Sequence, residues 1–200
     1  MTKQSRLLFS IPYFIWLLLF VVTPLGMIFY KSFFDINGQV TLGNYTNYFA
    51  SGNYLEMTFN SVWYAFLVTL VTLLVSYPTA LFLSRTKHKQ LWLLLIILPT
   101  WVNLLLKAYA FIGIFSQTGT VNNFLSLFGL APQEFLFTDF SFLTVAAYIE
   151  LPFMILPIFN SIEELPGSLI AASRDLGATK WDTFRRVIVP LSMNGVRSGV

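Results

Sequence analysis

Four stretches of mainly apolar residues punctuate the chain, at 7–30, 62–83, 91–115 and 142–159. Each is about as long as a helix needs to cross roughly 30 Å of hydrocarbon. In lipid only a structure that satisfies its own backbone hydrogen bonds survives, so all four are expected to be transmembrane helices. Composition agrees: 56% of the 200 residues are hydrophobic and only 10% are charged, whereas about a quarter of a soluble domain is charged. A soluble globule is excluded. The chain has no cysteine and one histidine, His88, which leaves no thiol nucleophile, disulfide, Cys-based zinc site or two-histidine metal site. No metal or cofactor is expected, and no nucleic acid.

Orientation follows from where the basic residues fall. Alternating the connections from the N-terminus puts Lys3, Arg6, Arg85, Lys87, Lys89, Arg174, Lys180, Arg185, Arg186 and Arg197 on one side, ten of the 12 Lys and Arg. The positive-inside rule makes that side cytoplasmic, with the N-terminus. The first stretch is too long for a signal peptide and lacks a small-x-small cleavage site, so it reads as a retained signal anchor. The outer connections at 31–61 and 116–141 carry Asn, Gly, Tyr and Pro-Gln rather than a second domain. They are long enough for short interfacial helices. The whole of 1–200 is expected to be one all-α transmembrane domain, with the approach to a fifth span at 191–200, where Gly195 and Gly199 have a spacing that suits close helix packing.

Prolines recur inside the stretches at Pro12, Pro24, Pro78, Pro99, Pro152 and Pro157. Each removes one intrahelical hydrogen bond. Two readings stand side by side: ordinary kinks satisfied by neighbouring helices, or broken helices that frame a solute path.

Between 160 and 190 the composition turns amphipathic and charged. Pro166 and Gly167 predict a turn, Ser168 a cap for a helix through Leu176, and Gly177 a left-handed stop that glycine adopts cheaply. Thr179 with Asp182 three residues on predicts a capping box for a second short helix, closed by Pro190.

The run AASRDLGATKWDTFRRVIVPLS resembles the EAA loop of bacterial ABC importer permeases. That pattern is Glu-Ala-Ala, three residues, Gly, nine residues, then an apolar-x-apolar-Pro ending. It falls here on Ala171, Ala172, Ser173, Gly177 and 187–190, with the spacing kept and the leading Glu replaced by Ala171. A Glu there would stand three residues after Ser168, so its loss should remove half of a capping box, about 0.5–1 kcal/mol. Together with SFFDINGQVTLGNYTNYF, SYPTALFLSR, LPTWVNLLLKAYAF and ELPFMILPIFNSIEEL, the chain resembles the B-type permeases of spermidine/putrescine importers from end to end. Members of that family usually have six spans, so the chain reads as a truncated or split product, or as a fragment of a longer frame.

The resemblance implies a transport subunit of a bacterial inner membrane rather than an enzyme. It implies a second, C-type permease, a cytoplasmic ATPase dimer that grips the EAA loop, and an extracytoplasmic polyamine-binding protein. The residues agree on one point: no GxxxxGK[ST] phosphate loop is present, so ATP must be bound by a partner. The coupling helix is expected at Ala171, Ala172, Ser173, Asp175, Leu176, Gly177 and Ala178, with Leu169, Ile170, Ala172, Ser173 and Leu176 near one stripe that fits a groove on another protein.

Two charges interrupt the spans. Glu150 costs about 2.5–3.5 kcal/mol at a helix centre, so it faces a cavity or a partner. With Tyr148, Trp101 and Tyr109 it is a candidate for the path of a polycation, through carboxylate and cation–π attraction. The alternative is structural, an ion pair with Lys107 or a protonated acid bonded to backbone freed by Pro152. Lys107, where related permeases often have Arg, suits a structural or gating role. The competing functions are an importer permease for another solute, a non-transporting interaction subunit, and a membrane-embedded enzyme. The last requires a cluster of reactive side chains at one depth, which Glu150 alone does not supply.

Overall fold

A computed structural model describes residues 3–200, with side chains from Ser10 onward, and every apolar stretch in it is helical. The chain divides into two compact units, Met1–Ser61 and Val62–Val200.

In the first unit, helices α1 (Lys3–Leu17) and α2 (Thr23–Lys31) are joined by a π turn, Leu18–Val22. That turn immediately precedes Pro24, whose ring would crowd an ordinary α turn. The amide and the hydroxyl of Thr23 both donate to the Leu18 carbonyl, the hydroxyl at 2.8 Å. The apolar window of Ser10–Lys31 buries none of its residues, as suits a helix whose solvent is lipid. Beyond it Phe34 and Val40 form an isolated antiparallel bridge. Asn44 Nδ2 donates to the carbonyls of Ser32 and Phe34 at 2.9 and 3.0 Å, and α3 (Gly43–Ala50) follows. The connection, long enough for a short helix, does hold one.

Helix α4 (Gly52–Ser84) supplies the second unit with a face one turn apart, Thr72, Ser76, Ala80 and Leu83, all buried. It packs against α8 (Asp139–Glu163) through Ala80, Leu83, Met154, Ile155, Ile158, Phe159 and Ile162, with Ile188 closing the cluster. Tyr64 meets Asp139 at one end, while Leu81, Ser84 and Arg85 meet Ile162 and Glu163 at the other. Helices α4 and α8 therefore run parallel. The basic connection after Ser84 and the amphipathic loop after Glu163 share one end, where Lys89 and Glu163 form an ion pair.

The third stretch differs from the single helix expected at 91–115. Helix α5 (Lys89–Ile97) gives way to a 3-10 turn, Leu98–Trp101, before α6 (Leu104–Phe115) begins. Pro99 brings no N–H, and Thr100 Oγ1 donates to the Ile97 carbonyl at 2.6 Å. The Asn103 side chain then starts α6 afresh by accepting from Leu105 N at 2.8 Å. Among the described residues the broken-helix reading of the prolines fits Pro99, whereas Pro12, Pro78, Pro152 and Pro157 lie inside continuous helices. A short helix α7 (Thr120–Ser126) lies in the connection between α6 and α8.

After Glu163 come α9 (Gly167–Asp175), α10 (Lys180–Thr183), a second π turn at Phe184–Ile188, α11 (Val189–Leu191) and α12 (Met193–Gly199). Two expectations are corrected here. The cap position of α9 is Pro166, and no side chain caps it. Ser168 lies inside the first turn, two residues after the proline that occupies the cap. Position 171 is then not the partner of a capping box, and the stability cost assigned to the missing Glu does not apply. Pro190 does not close the segment either: the π turn before it widens the helix, which carries on into α11.

Helix α12 lies against α8 as the glycine spacing anticipated. A Cβ on Gly195 would fall 2.5 Å from the Pro157 carbonyl oxygen and 2.7 Å from the Ser161 side chain, and one on Gly199 would fall 2.7 Å from Met154 Sδ. Only the absence of a side chain lets the two backbones approach this closely.

Candidate functional site

The amphipathic loop is built by local rules. Gly177 has φ +82°. Its N–H donates to the Arg174 carbonyl at 2.9 Å and that of Ala178 to the Ser173 carbonyl at 3.1 Å, the bond pair of a Schellman stop. Thr179 and Asp182 then complete the expected capping box. The Asp182 carboxyl is held below its ordinary value by hydrogen bonds from the Thr179 hydroxyl and then the Thr179 amide, with Arg186 adding a smaller share. A carboxyl depressed in the folded state stabilises above its unfolded pKa and loses that contribution as pH falls through the folded one. Protease resistance of the turn between α9 and α10 should therefore hold above about pH 4 and decline below it. Limited pepsin digestion across pH tests this, and Asp182→Asn should abolish the pH dependence.

The stripe expected on α9 is split between two directions. Ile170 packs on the helix core, and the Ser173 hydroxyl donates to the Ile170 carbonyl at 2.9 Å and pairs with Thr183 Oγ1 at 3.0 Å. Those two side chains turn toward the protein itself and are only partly exposed. Leu169, Ala171, Ala172, Asp175 and Leu176 stay exposed, Leu176 at 88%, and Ala178 is half-buried beside the stop. Trp181, 66% exposed, adds an apolar side chain that the spacing of the loop did not single out. It stacks on Phe184 at 5.3 Å; Phe184 meets Tyr77 of α4 edge-on, and Tyr77 shares a 2.7 Å hydrogen bond with Ser192. A line of ring contacts thus runs from the free surface of the loop into a span.

The intramembrane candidates are not gathered together. Glu150 is exposed and Lys107 half-buried, and neither makes an ion pair among the described residues. The Lys107–Glu150 pair is absent there, and Glu150 makes no hydrogen bond to backbone near the buried Pro152. Tyr148 packs edge-on against Phe111 of α6 at 5.1 Å. Trp101 and Tyr109 are 81% and 70% exposed, with no ring contact to Tyr148 among the described residues.

What does converge lies at the opposite end of the unit from the loop. Tyr64 Oη donates to Asp139 Oδ1 at 2.6 Å, at the edge of a cavity of about 570 Å³ between α4, α6 and α8 whose walls include Phe111, Phe115 and Phe142. Tyr64 and Asp139 are 75 residues apart, and only the parallel packing of α4 and α8 brings them together. Neither residue stands out in the sequence, where no local pattern links them.

Membrane-length helices packed in this order, ending in a helix-turn-helix loop at the basic end, define a multi-span ABC importer permease fold. A bacterial alginate ABC transporter, solved in complex with an alginate pentasaccharide-bound periplasmic protein, superposes with a TM-score of 0.76 at 20% identity, over 96% of this chain and 68% of that one. No family model matches the chain. The spermidine/putrescine transport system permease protein PotB of Escherichia coli is 39% identical over 194 residues, 92% of this chain and 70% of the relative. PotB of Haemophilus influenzae is 36% identical over 196 residues, 93% of this chain and 68% of the relative. The chain belongs to the PotB family of transport permeases, and is a transport subunit rather than an enzyme.

Proposed function

We propose that this chain forms half of the translocation path of an ATP-driven polyamine importer. The carrying observation is α9, a short helix fixed by a glycine stop and a capping box, with Leu169, Ala172 and Leu176 free for a partner. That face suits the groove of a cytoplasmic ATPase dimer, which binds and hydrolyses the ATP. The cargo follows the relatives, whose names specify spermidine and putrescine. The Asp139 carboxylate beside Tyr64, Phe111 and Phe142 has the chemistry that attracts an ammonium group. Glu150 with Tyr148 is a second station, completed by a C-type permease. An extracytoplasmic polyamine-binding protein delivers the cargo. The N-terminus lies in the cytoplasm of a bacterial cell, supported by the basic residues that share the end of α4 and α8.

The test is uptake of labelled spermidine and putrescine into vesicles carrying this chain with its ATPase, sister permease and binding protein. ATP-dependent accumulation of either amine, competed by the other and not by a neutral sugar, is the expected result. Assembly with the ATPase but no amine uptake would keep the fold and overturn the cargo.

A further inference from the structure

At the basic end of the second unit, a cleft of about 540 Å³ opens between the ends of α4 and α8 and the loop carrying α9 and α10. Its floor is apolar, with Leu81, Ile162 and Ile188, and its polar lining includes Arg85, Arg174 and Lys180. None of those three cations makes an ion pair among the described residues. The acid in the lining, Glu163, is already engaged by Lys89. The cleft therefore holds an excess of positive charge over an apolar base, at the level where two spans give way to their connections.

We propose that this cleft binds the phosphodiester headgroup of an anionic phospholipid. Three cations from three separate segments suit a compact anion, and guanidinium groups match phosphate oxygens with paired N–H donors. The apolar floor favours a lipid over free phosphate, and Phe82, Leu91 and Trp92 are exposed at the same end of α4 and the start of α5. A tryptophan at that level is the usual interfacial anchor. Arg85 belongs to the connection between α4 and α5, whereas Arg174 and Lys180 belong to the coupling loop. A bound headgroup would tie that loop to the bundle, so the lipid acts on the element that transmits the ATPase stroke. That consequence rests on the coupling role proposed above; the binding itself does not.

The experiment uses the full chain in nanodiscs of phosphatidylcholine with or without phosphatidylglycerol, with retained lipid counted by native mass spectrometry after mild detergent exchange. Phosphatidylglycerol should be retained about tenfold over phosphatidylcholine, and Arg85→Gln with Arg174→Gln should remove that preference. Lys87→Gln, a charge lost from the same connection but outside the cleft lining, should leave it unchanged. Equal retention of the two lipids by the unaltered protein, or equal loss in the Lys87 and cleft variants, would overturn the proposal. Inorganic phosphate displacing the lipid at equal concentration would overturn the lipid as the source. Retention is read without ATPase or cargo, so failure here is distinguishable from failure of the polyamine reading.

Discussion

Replacing Gly177 should uncouple ATP hydrolysis from transport in proportion to how poorly the new residue tolerates a left-handed backbone. A Cβ at this position meets nothing within 4 Å, while φ is +82°, so the penalty is backbone strain and not collision. A left-handed conformation costs an ordinary residue about 1–2 kcal/mol and asparagine less. The order should be Gly177→Asn mildest, Gly177→Ala intermediate and Gly177→Val most severe. The strain falls on the two hydrogen bonds that end α9, so the helix frays on the side that carries Leu176. In vesicles with the assembled importer, the number of ATP molecules hydrolysed per amine taken up should rise along that series. A flat ratio across the three variants would remove Gly177 from the coupling element.

A side chain at Gly195 should do larger damage, and of a different kind. Position 195 is in ordinary helical backbone, so strain in φ is not the issue; the Pro157 carbonyl oxygen occupies the space a Cβ needs. That oxygen is fixed in the backbone of α8 and cannot swing aside as a long side chain would. Gly195→Ala should already cost about 1–3 kcal/mol by overpacking, and Gly195→Leu should part α12 from α8. Thermal unfolding in detergent reads the first as a lowered midpoint. Early trypsin cleavage at Arg197 reads the second: that arginine is already exposed, but its backbone is held in a packed helix and loosens into a substrate when α12 lifts off. An Ala variant as stable as the parent would mean that α8 and α12 stand further apart than described.

The contrast between these two glycines shows which parts of the molecule could be read in advance. Gly177, Thr179 and Asp182 act within a few residues of one another, and their chemistry names the turn they make. Gly195 and Gly199 announced a close contact by spacing but not its partner. The apolar stretches were legible because the bilayer imposes their length. The break at 98–103 was not, since hydropathy averages across it while Pro99, Thr100 and Asn103 redirect the backbone locally. Ser168 misled because a good capping residue sat two places beyond a proline that had already begun the helix. On α9, which of Leu169, Ile170 and Ser173 face outward depends on Thr183 and on the core beneath, neither of which the periodicity of one helix contains. The meeting of Tyr64 with Asp139 needed the tertiary fold.

The π turn at Phe184–Ile188 sets the rotational phase of everything after it. One extra residue in a turn offsets the chain downstream by about 100° relative to an unbroken α-helix, and it is with this offset that Gly195 and Gly199 point at α8. Deleting a single residue between Phe184 and Ile188 would let the turn tighten to α while keeping both glycines on the same face. Deleting a second residue, with no π turn left to tighten, would turn them away. The π turn is therefore a reserve of one residue of length ahead of α12, set by helical phase and by no property of the residue removed.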